Sequence, residues 1–299
     1  MKTSFVNASD VTLYLVSDKP KDKPDAETVL FLHGYPDNSK TWSYQMHSLG
    51  MEYQVAAYDI RGAGKSTQPI NQYDFHIEKL QEDVLAVIDH LVGKEGKVHL
   101  VGHDWGAIIF WAFVSNRSYQ KRVHSYTAVS GPHVTLTLKN MFEKFTSFNP
   151  MAIGEQFFQI FKSWYIMFFQ VPKLPEFMWY TFPLFLWERI LKEGGVPSND
   201  EMYKYDKKEI FSCAVGTLNL YRELMMGGLP RLPEPPIEVP VSVIIPEDDL
   251  AILPSSYDKM EEIASNLKIH KLKANHWVHR EKPREVNNII RETIARARI

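Results

Sequence analysis

Short apolar runs alternate with stretches of helical spacing over the first 130 or so residues of the chain. Residues 11–16 alternate weakly between polar and apolar side chains, and the Lys/Asp/Pro cluster at 18–25 breaks them, which predicts a strand followed by a polar turn. Residues 28–32 and 54–58 are continuous apolar runs, the pattern of strands buried on both faces of a mostly parallel sheet. Between 75 and 91 the apolar residues Leu80, Val84, Leu85, Val87, Ile88 and Leu91 fall at helical spacing, predicting a crossover helix. Val98 to Val101 reads as another strand, stopped by Gly102-His103-Asp104-Trp105-Gly106 and followed at once by an apolar, helix-compatible run at 107–114. A further strand is predicted at 123–130, ending in Gly131-Pro132-His133.

The texture then changes. From about 134 to 236 the strand patterns vanish, and the chain is dense in Phe, Trp, Tyr and Met, interrupted by Pro150, Pro172, Pro175, Pro183 and Pro197. Several helices that cannot belong to the sheet are expected there, closed by the proline-rich 229–240. Two more strand–helix units follow, with strands at 241–245 and 267–272 and a last helix at 284–297. Strands alternating with helices predict an α/β fold, a doubly wound and mostly parallel sheet, with a helical cap inserted into one connection. The implied division is core residues 1–133, cap 134–236 and core again 237–299.

Composition adds limits rather than direction. With 299 residues, 44% hydrophobic and 23% charged, the chain has the profile of a soluble globular protein. A formal net charge of -2 gives no reason to expect nucleic acid or an anionic membrane as partner. The single cysteine, Cys213, cannot form an intrachain disulfide, and no Cys/His spacing suggests a metal site. Residues 1–10 lack a signal-peptide pattern, and with the lone cysteine this leads us to expect a cytoplasmic protein. The apolar runs at 163–172 and 177–187 are too short to span a bilayer, so a buried lid lining a pocket is expected, with a peripheral membrane contact as the lesser alternative.

The chemistry gathers at predicted strand ends, where open α/β sheets hold their ligands. A strand that turns sharply into a helix needs small residues around the bend, and Gly102 and Gly106 supply them, projecting Asp104 at the tip as a nucleophile elbow projects serine. Asp104 is equally a residue that caps helices. Asp249 follows the strand at 241–245 and His276 follows that at 267–272, so Asp104, Asp249 and His276 stand in the nucleophile–acid–base order of a hydrolytic triad. Asp249 competes with Glu247 and Asp248, and the choice between Asp248 and Asp249 stays open. His276 competes with His279, which starts the next predicted helix. Gly64-Lys65-Ser66 has the look of a phosphate loop, but Asp59 stands where that motif needs glycine, and no nucleotide site is read.

Four motifs together, His33-Gly34-Tyr35-Pro36, Asp59-x-Arg61-Gly62-x-Gly64-x-Ser66, Gly102-His103-Asp104-Trp105-Gly106 and Asn275-His276-Trp277, resemble the epoxide hydrolase branch of the α/β-hydrolase superfamily. Haloalkane and fluoroacetate dehalogenases are its close relatives. The resemblance spans the core and implies two cap tyrosines that hold the epoxide oxygen. Tyr165, four residues before Phe169-Gln170, and Tyr221, before Arg222, match those contexts, with Tyr180, Tyr203 and Tyr205 as substitutes. It implies backbone N–H donors at Tyr35 and Trp105 for an oxyanion, substrate contacts from Trp105, Tyr35 and Pro36, and neither metal nor organic cofactor. The expected partners are a small apolar epoxide and water, with the chain a monomer or homodimer. A carboxylate suits displacement at a saturated carbon, where a serine alkoxide suits attack on an acyl carbon. Two readings remain beside it. A dehalogenase would share the Asp-His-Asp set, although Tyr35 occupies a position where such enzymes often carry Asn, and Trp105 replaces the Arg of the fluoroacetate enzymes. A ligand receptor on a hydrolase fold is the third.

Overall fold

The computed structural model describes residues 1–298. Eight strands build one sheet: β1 (Lys2–Asn7), β2 (Thr12–Asp18), β3 (Thr28–Leu32), β4 (Gln54–Tyr58), β5 (Val98–His103), β6 (Val123–Val129), β7 (Val241–Pro246) and β8 (Leu267–Leu272). Their order across the sheet is β1-β2-β4-β3-β5-β6-β7-β8. The first two pairings, β1 with β2 and β2 with β4, are antiparallel, and every other pair is parallel. This is the doubly wound, mostly parallel sheet that the alternation of strands and helices predicts.

Side-chain alternation along the central strands explains why they read as unbroken apolar runs. In β3, Leu30 and Leu32 enter one core while Val29 and Phe31 enter a second on the opposite face. β4 divides in the same way, with Ala56 and Tyr58 on one side and Val55 and Ala57 on the other. A strand covered on both faces has no polar face to show, and period two disappears from its sequence. The helices Ile77–Val92 and Trp105–Ser115 line the first core, and Ser43–Leu49 and Pro283–Arg296 line the second.

Strand β1 and the helix Ser43–Leu49 are additions to the sequence reading. β1 is an edge strand whose residues are mostly exposed, with Val6 buried, so its apolar content is too sparse to stand out. The crossover helix begins at Ile77, because residues 72–75 form a separate 3-10 turn. The other expected elements lie within two residues of their predicted ends, and the last helix runs Pro283–Arg296.

Between β6 and β7 the described residues form no named strand. They form the helices Val134–Thr146, Pro150–Lys162, Trp164–Phe168, Leu174–Thr181, Pro183–Glu193, Lys207–Gly216 and Leu218–Met225. Pro150 and Pro183 each take the first position of a helix, where the missing N–H costs nothing. Asn149 caps the second of these helices by accepting from the amides of Met151 and Ala152. No helix among the described residues is long and apolar enough to cross a membrane.

Topology places the functional ends. The chain moves from β3 outward to β4 and then returns to the far side of β3 for β5, so the carboxyl ends of β3 and β5 flank the point where the winding reverses. Their register pairs Leu32 with Gly102, which sets residues 33–35 beside Asp104.

Candidate active site

Asp104 has φ 50° and ψ -116°, a conformation that an L-residue adopts only when its surroundings enforce it. The enforcement is steric. A side chain on Gly102 would come within 2.5 Å of the Gly106 carbonyl oxygen, and one on Gly106 within 2.2 Å of the Leu32 carbonyl oxygen. Strand and helix are therefore pressed together behind the tip, and the carboxylate is pushed forward. Gly34 presses from β3: a Cβ there would stand 2.4 Å from the Asp104 Cβ. The Asp104 side chain keeps 11% of its surface accessible, against 5% for His276 and 1% for Asp249, so of the three it is the one open to a reactant.

The two carboxylate oxygens have different neighbours. Oδ1 accepts a hydrogen bond from the Tyr35 amide at 2.9 Å. Oδ2 lies 3.7 Å from Nε2 of His276. The other imidazole nitrogen, Nδ1, is 2.8 Å from Asp249 Oδ2, and Asp249 Oδ1 accepts from the amides of Ala251 (2.8 Å) and Ile252 (3.1 Å). Glu247 and Asp248 are exposed, and of the three acids Asp249 is the one beside His276. His279 is buried away from the carboxylates, with Nε2 bonded to the Thr41 hydroxyl at 2.8 Å and its ring against Trp42.

Charge follows from this arrangement. Burial alone drives the His276 imidazole toward neutrality, but Asp249 first, and Asp104 with it, outweigh that and push it up to about 10. Burial likewise raises the Asp104 carboxyl, and the hydrogen bond and charge of His276, helped by the Tyr35 amide, reverse it and hold the group below its ordinary range. The arrangement thus favours the proton on His276, which lies between Asp249 and Asp104. The neighbouring imidazoles stay neutral: burial, with the His276 charge next, lowers His103 to about 3, and burial depresses His279 and His33.

Above the carboxylate stand the aromatic rings of the helical insertion. Tyr165 and Tyr221 meet edge to face at 5.8 Å between ring centres, and Tyr221 also meets Trp105 and Tyr35, each at 5.1 Å. Both phenols titrate above the ordinary tyrosine value. Burial is the main cause for each, and the negative charge of Asp104 adds to it. The Tyr35 hydroxyl accepts from the Trp179 indole N–H at 3.0 Å, which fixes its ring and leaves its amide as the group facing Asp104. Of the expected second oxyanion donor there is no bond: the Trp105 amide, at the first turn of its helix, makes none to the carboxylate. Pro36 is buried and has no N–H to donate. The substitute tyrosines lie elsewhere. Tyr180 is exposed, Tyr203 bonds the Val196 carbonyl, and Tyr205 stacks on Trp187.

Three features escaped the sequence. The His276 carbonyl accepts two hydrogen bonds, from the Ser130 hydroxyl at 2.7 Å and from His103 Nε2 at 3.0 Å. Asn275 Oδ1 accepts from the amides of both Leu250 and His276, tying the two loops together. Tyr257, buried and with its hydroxyl unbonded, is raised by burial and then by the charges of Asp249 and Asp104. The first two join residues distant in the chain, and local pattern carries no trace of them. The 59–66 motif is structural: Asp59 accepts from the amides of Ser39 and Lys65, and Arg61 forks onto Asp83 at 2.6 and 2.7 Å. Among the described residues no group of three or more His, Cys, Asp or Glu is disposed to hold a metal ion.

Comparison with known proteins agrees with the architecture. The model of the alpha/beta hydrolase fold family matches residues 27–283. Human epoxide hydrolase 4 is 31% identical over 173 residues, which is 58% of this chain and 42% of the human protein, so the match covers less than half of that relative. Epoxide hydrolase 1 of Caenorhabditis elegans is 25% identical over 298 residues, covering 96% of this chain and 69% of the worm protein. The crystal structure of a Bacillus megaterium epoxide hydrolase with an inhibitor superposes with a TM-score of 0.76 at 26% identity, covering 98% of this chain and 100% of that one.

Proposed function

The chain belongs to the alpha/beta hydrolase fold family, and on that premise we propose that it opens an apolar epoxide to a vicinal diol through an alkyl ester on Asp104. The observation that carries this reading is the unequal surroundings of the Asp104 oxygens. Oδ2, free of hydrogen bonds from the backbone, attacks the epoxide carbon, while Oδ1 stays on the Tyr35 amide and becomes the ester carbonyl oxygen. Residues 134–236 act as the cap, and its Tyr165 and Tyr221 donate to the departing oxygen. One of them supplies the proton that the alkoxide needs. Their raised values keep both phenols protonated, and so able to donate, at neutral pH.

Esterification then changes the base. Once Asp104 is neutral, one of the two carboxylates holding the proton on His276 is gone, and the imidazole loses that proton more readily. Its proton balances the one consumed at the alkoxide. Neutral His276, oriented by Asp249, next takes a proton from water, which adds to the Asp104 carbonyl carbon. The oxyanion forms on Oδ1, with the Tyr35 amide in place and the Trp105 amide as second donor. Collapse expels the second diol oxygen, which takes the proton back from His276, and the Asp104 carboxylic acid left behind passes its own proton to His276, restoring the carboxylate and the protonated imidazole. This half-reaction needs only water.

The names of the human, worm and Bacillus relatives support the same substrate class. The aromatic cap favours an apolar epoxide over a charged one. The test is diol release from styrene oxide beside halide release from a haloalkane. Diol without halide is expected, and Asp104→Ala should abolish it. Tyr165→Phe with Tyr221→Phe should lower diol formation by about 10²–10⁴. Halide release instead of diol would support a dehalogenase. Ligand binding with neither product would support a receptor.

A further inference from the structure

The outer surface of the helical insertion is apolar beyond what a solvated face normally carries. Along residues 157–185 the rings of Phe157, Phe161, Trp164, Phe177, Tyr180 and Phe185 are each at least 60% exposed. The largest apolar patch on a monomeric soluble protein is on the order of 300–600 Å². Six rings of about 150–250 Å² each, all more than half exposed, sum to the top of that range, and they are carried by two packed helix pairs, Pro150–Lys162 with Trp164–Phe168 and Leu174–Thr181 with Pro183–Glu193.

The charges in this stretch are arranged with one sign outward. It contains Lys162, Lys173 and Glu176 as its charged residues. Glu176 is paired with Arg222 at 2.8 Å, and Lys162 turns inward to the Asp249 carbonyl. Lys173 is left exposed. A second copy of the chain, meeting this face with the same face, would bring Lys173 against an identical surface whose carboxylate is already occupied by Arg222. A lipid surface complements it better. Aromatic rings enter the boundary between headgroups and acyl chains, and a lysine beside them reaches an anionic phosphate.

We infer that this face of the insertion docks on a bilayer surface containing anionic lipid. The contact is peripheral, since no helix among the described residues is long and apolar enough to cross. It would also set the membrane one helix away from the site: Trp164 and Met167 face outward on the helix Trp164–Phe168, whose Tyr165 packs on Tyr221. The inference rests on exposure and charge, and it stands whether or not the substrate is an epoxide.

Flotation of the purified chain with vesicles of phosphatidylcholine, alone and mixed with phosphatidylglycerol, tests it. The chain should float with both and more strongly with the mixed vesicles. Phe161→Ser with Phe185→Ser should weaken binding to either by about tenfold or more, given the apolar area removed, with the thermal unfolding temperature unchanged. Lys173→Glu should erase the preference for phosphatidylglycerol alone, and it carries the test if the double variant unfolds early. Failure of the wild-type chain to float overturns the proposal. So does a dimer in sedimentation that the phenylalanine substitutions dissociate, which would assign the face to a second copy.

Discussion

Replacing Asp249 by Asn separates the two halves of the proposed reaction. The carboxylate has its Oδ1 committed to the amides of Ala251 and Ile252, and its Oδ2 stands 2.8 Å from His276 Nδ1. Asn fits the same space, but the two amides require an acceptor, so its carbonyl oxygen takes the Oδ1 place and its NH₂ faces the imidazole. Nδ1 must then accept, and the ring proton moves to Nε2, which faces Asp104 Oδ2 at 3.7 Å. An imidazole protonated there cannot take a proton from water. The same change of tautomer in a serine hydrolase costs about 10⁴ in kcat, so ester hydrolysis should fall by about 10³–10⁴, equivalent to about 4–5.5 kcal/mol in the barrier. Attack by Asp104 needs no base and should keep its rate within about tenfold. Stopped-flow mixing with excess styrene oxide, followed by intact-protein mass spectrometry, reads both steps. A rapid gain of one substrate mass with little diol is the expected result. Equal loss of both steps, or diol at the wild-type rate, would refute the tautomer argument.

Other consequences follow from the same contacts. Gly34→Ala places a Cβ against Asp104 and should lower kcat/KM by about 10² or more through misplacement of the carboxylate, measured on a variant whose circular dichroism is unchanged. Asp200 holds the fully buried Arg280 guanidinium at 2.6–2.9 Å, and Asp200→Ala should cost about 3–5 kcal/mol by stranding that charge, seen as a lower midpoint in denaturant. His276 is raised from 6.5 to about 10 in the folded chain, so its contribution to stability is fully present below pH 6.5 and is lost as pH rises through about 10. Thermal unfolding of wild type should therefore lose more between neutral and alkaline pH than that of Asp249→Asn, and parallel curves would contradict the assignment.

How much of this was legible beforehand depended on how local each cause is. The elbow could be read because its glycines stand two residues to either side of Asp104, although the contact that requires Gly106 is with Leu32 on a distant strand, and the central strands because burial on both faces leaves an unbroken apolar run. Asp249 and His276, which the structure brings within 2.8 Å of each other, were singled out by their place after strands. Strand β1 was missed because an exposed edge strand needs few apolar residues. Between 134 and 236 the prolines marked breaks between helices but gave neither the helix bounds nor their faces, since Phe, Trp and Met occur on buried and exposed sides alike. Ser130 and His103 on the His276 carbonyl join residues 146 and 173 positions apart, and no sequence period encodes such a meeting.

The covalent ester on Asp104 is tested most directly by a single turnover with enzyme in excess, in water labelled with heavy oxygen. Water that attacks the ester carbonyl leaves its label in the Asp104 carboxylate, and the first diol released carries only unlabelled oxygen. Mass analysis of the peptide bearing Asp104 should therefore find the label there after one turnover. Label in the first diol, with an unlabelled Asp104 peptide, would mean that water attacks the epoxide itself and would contradict the account.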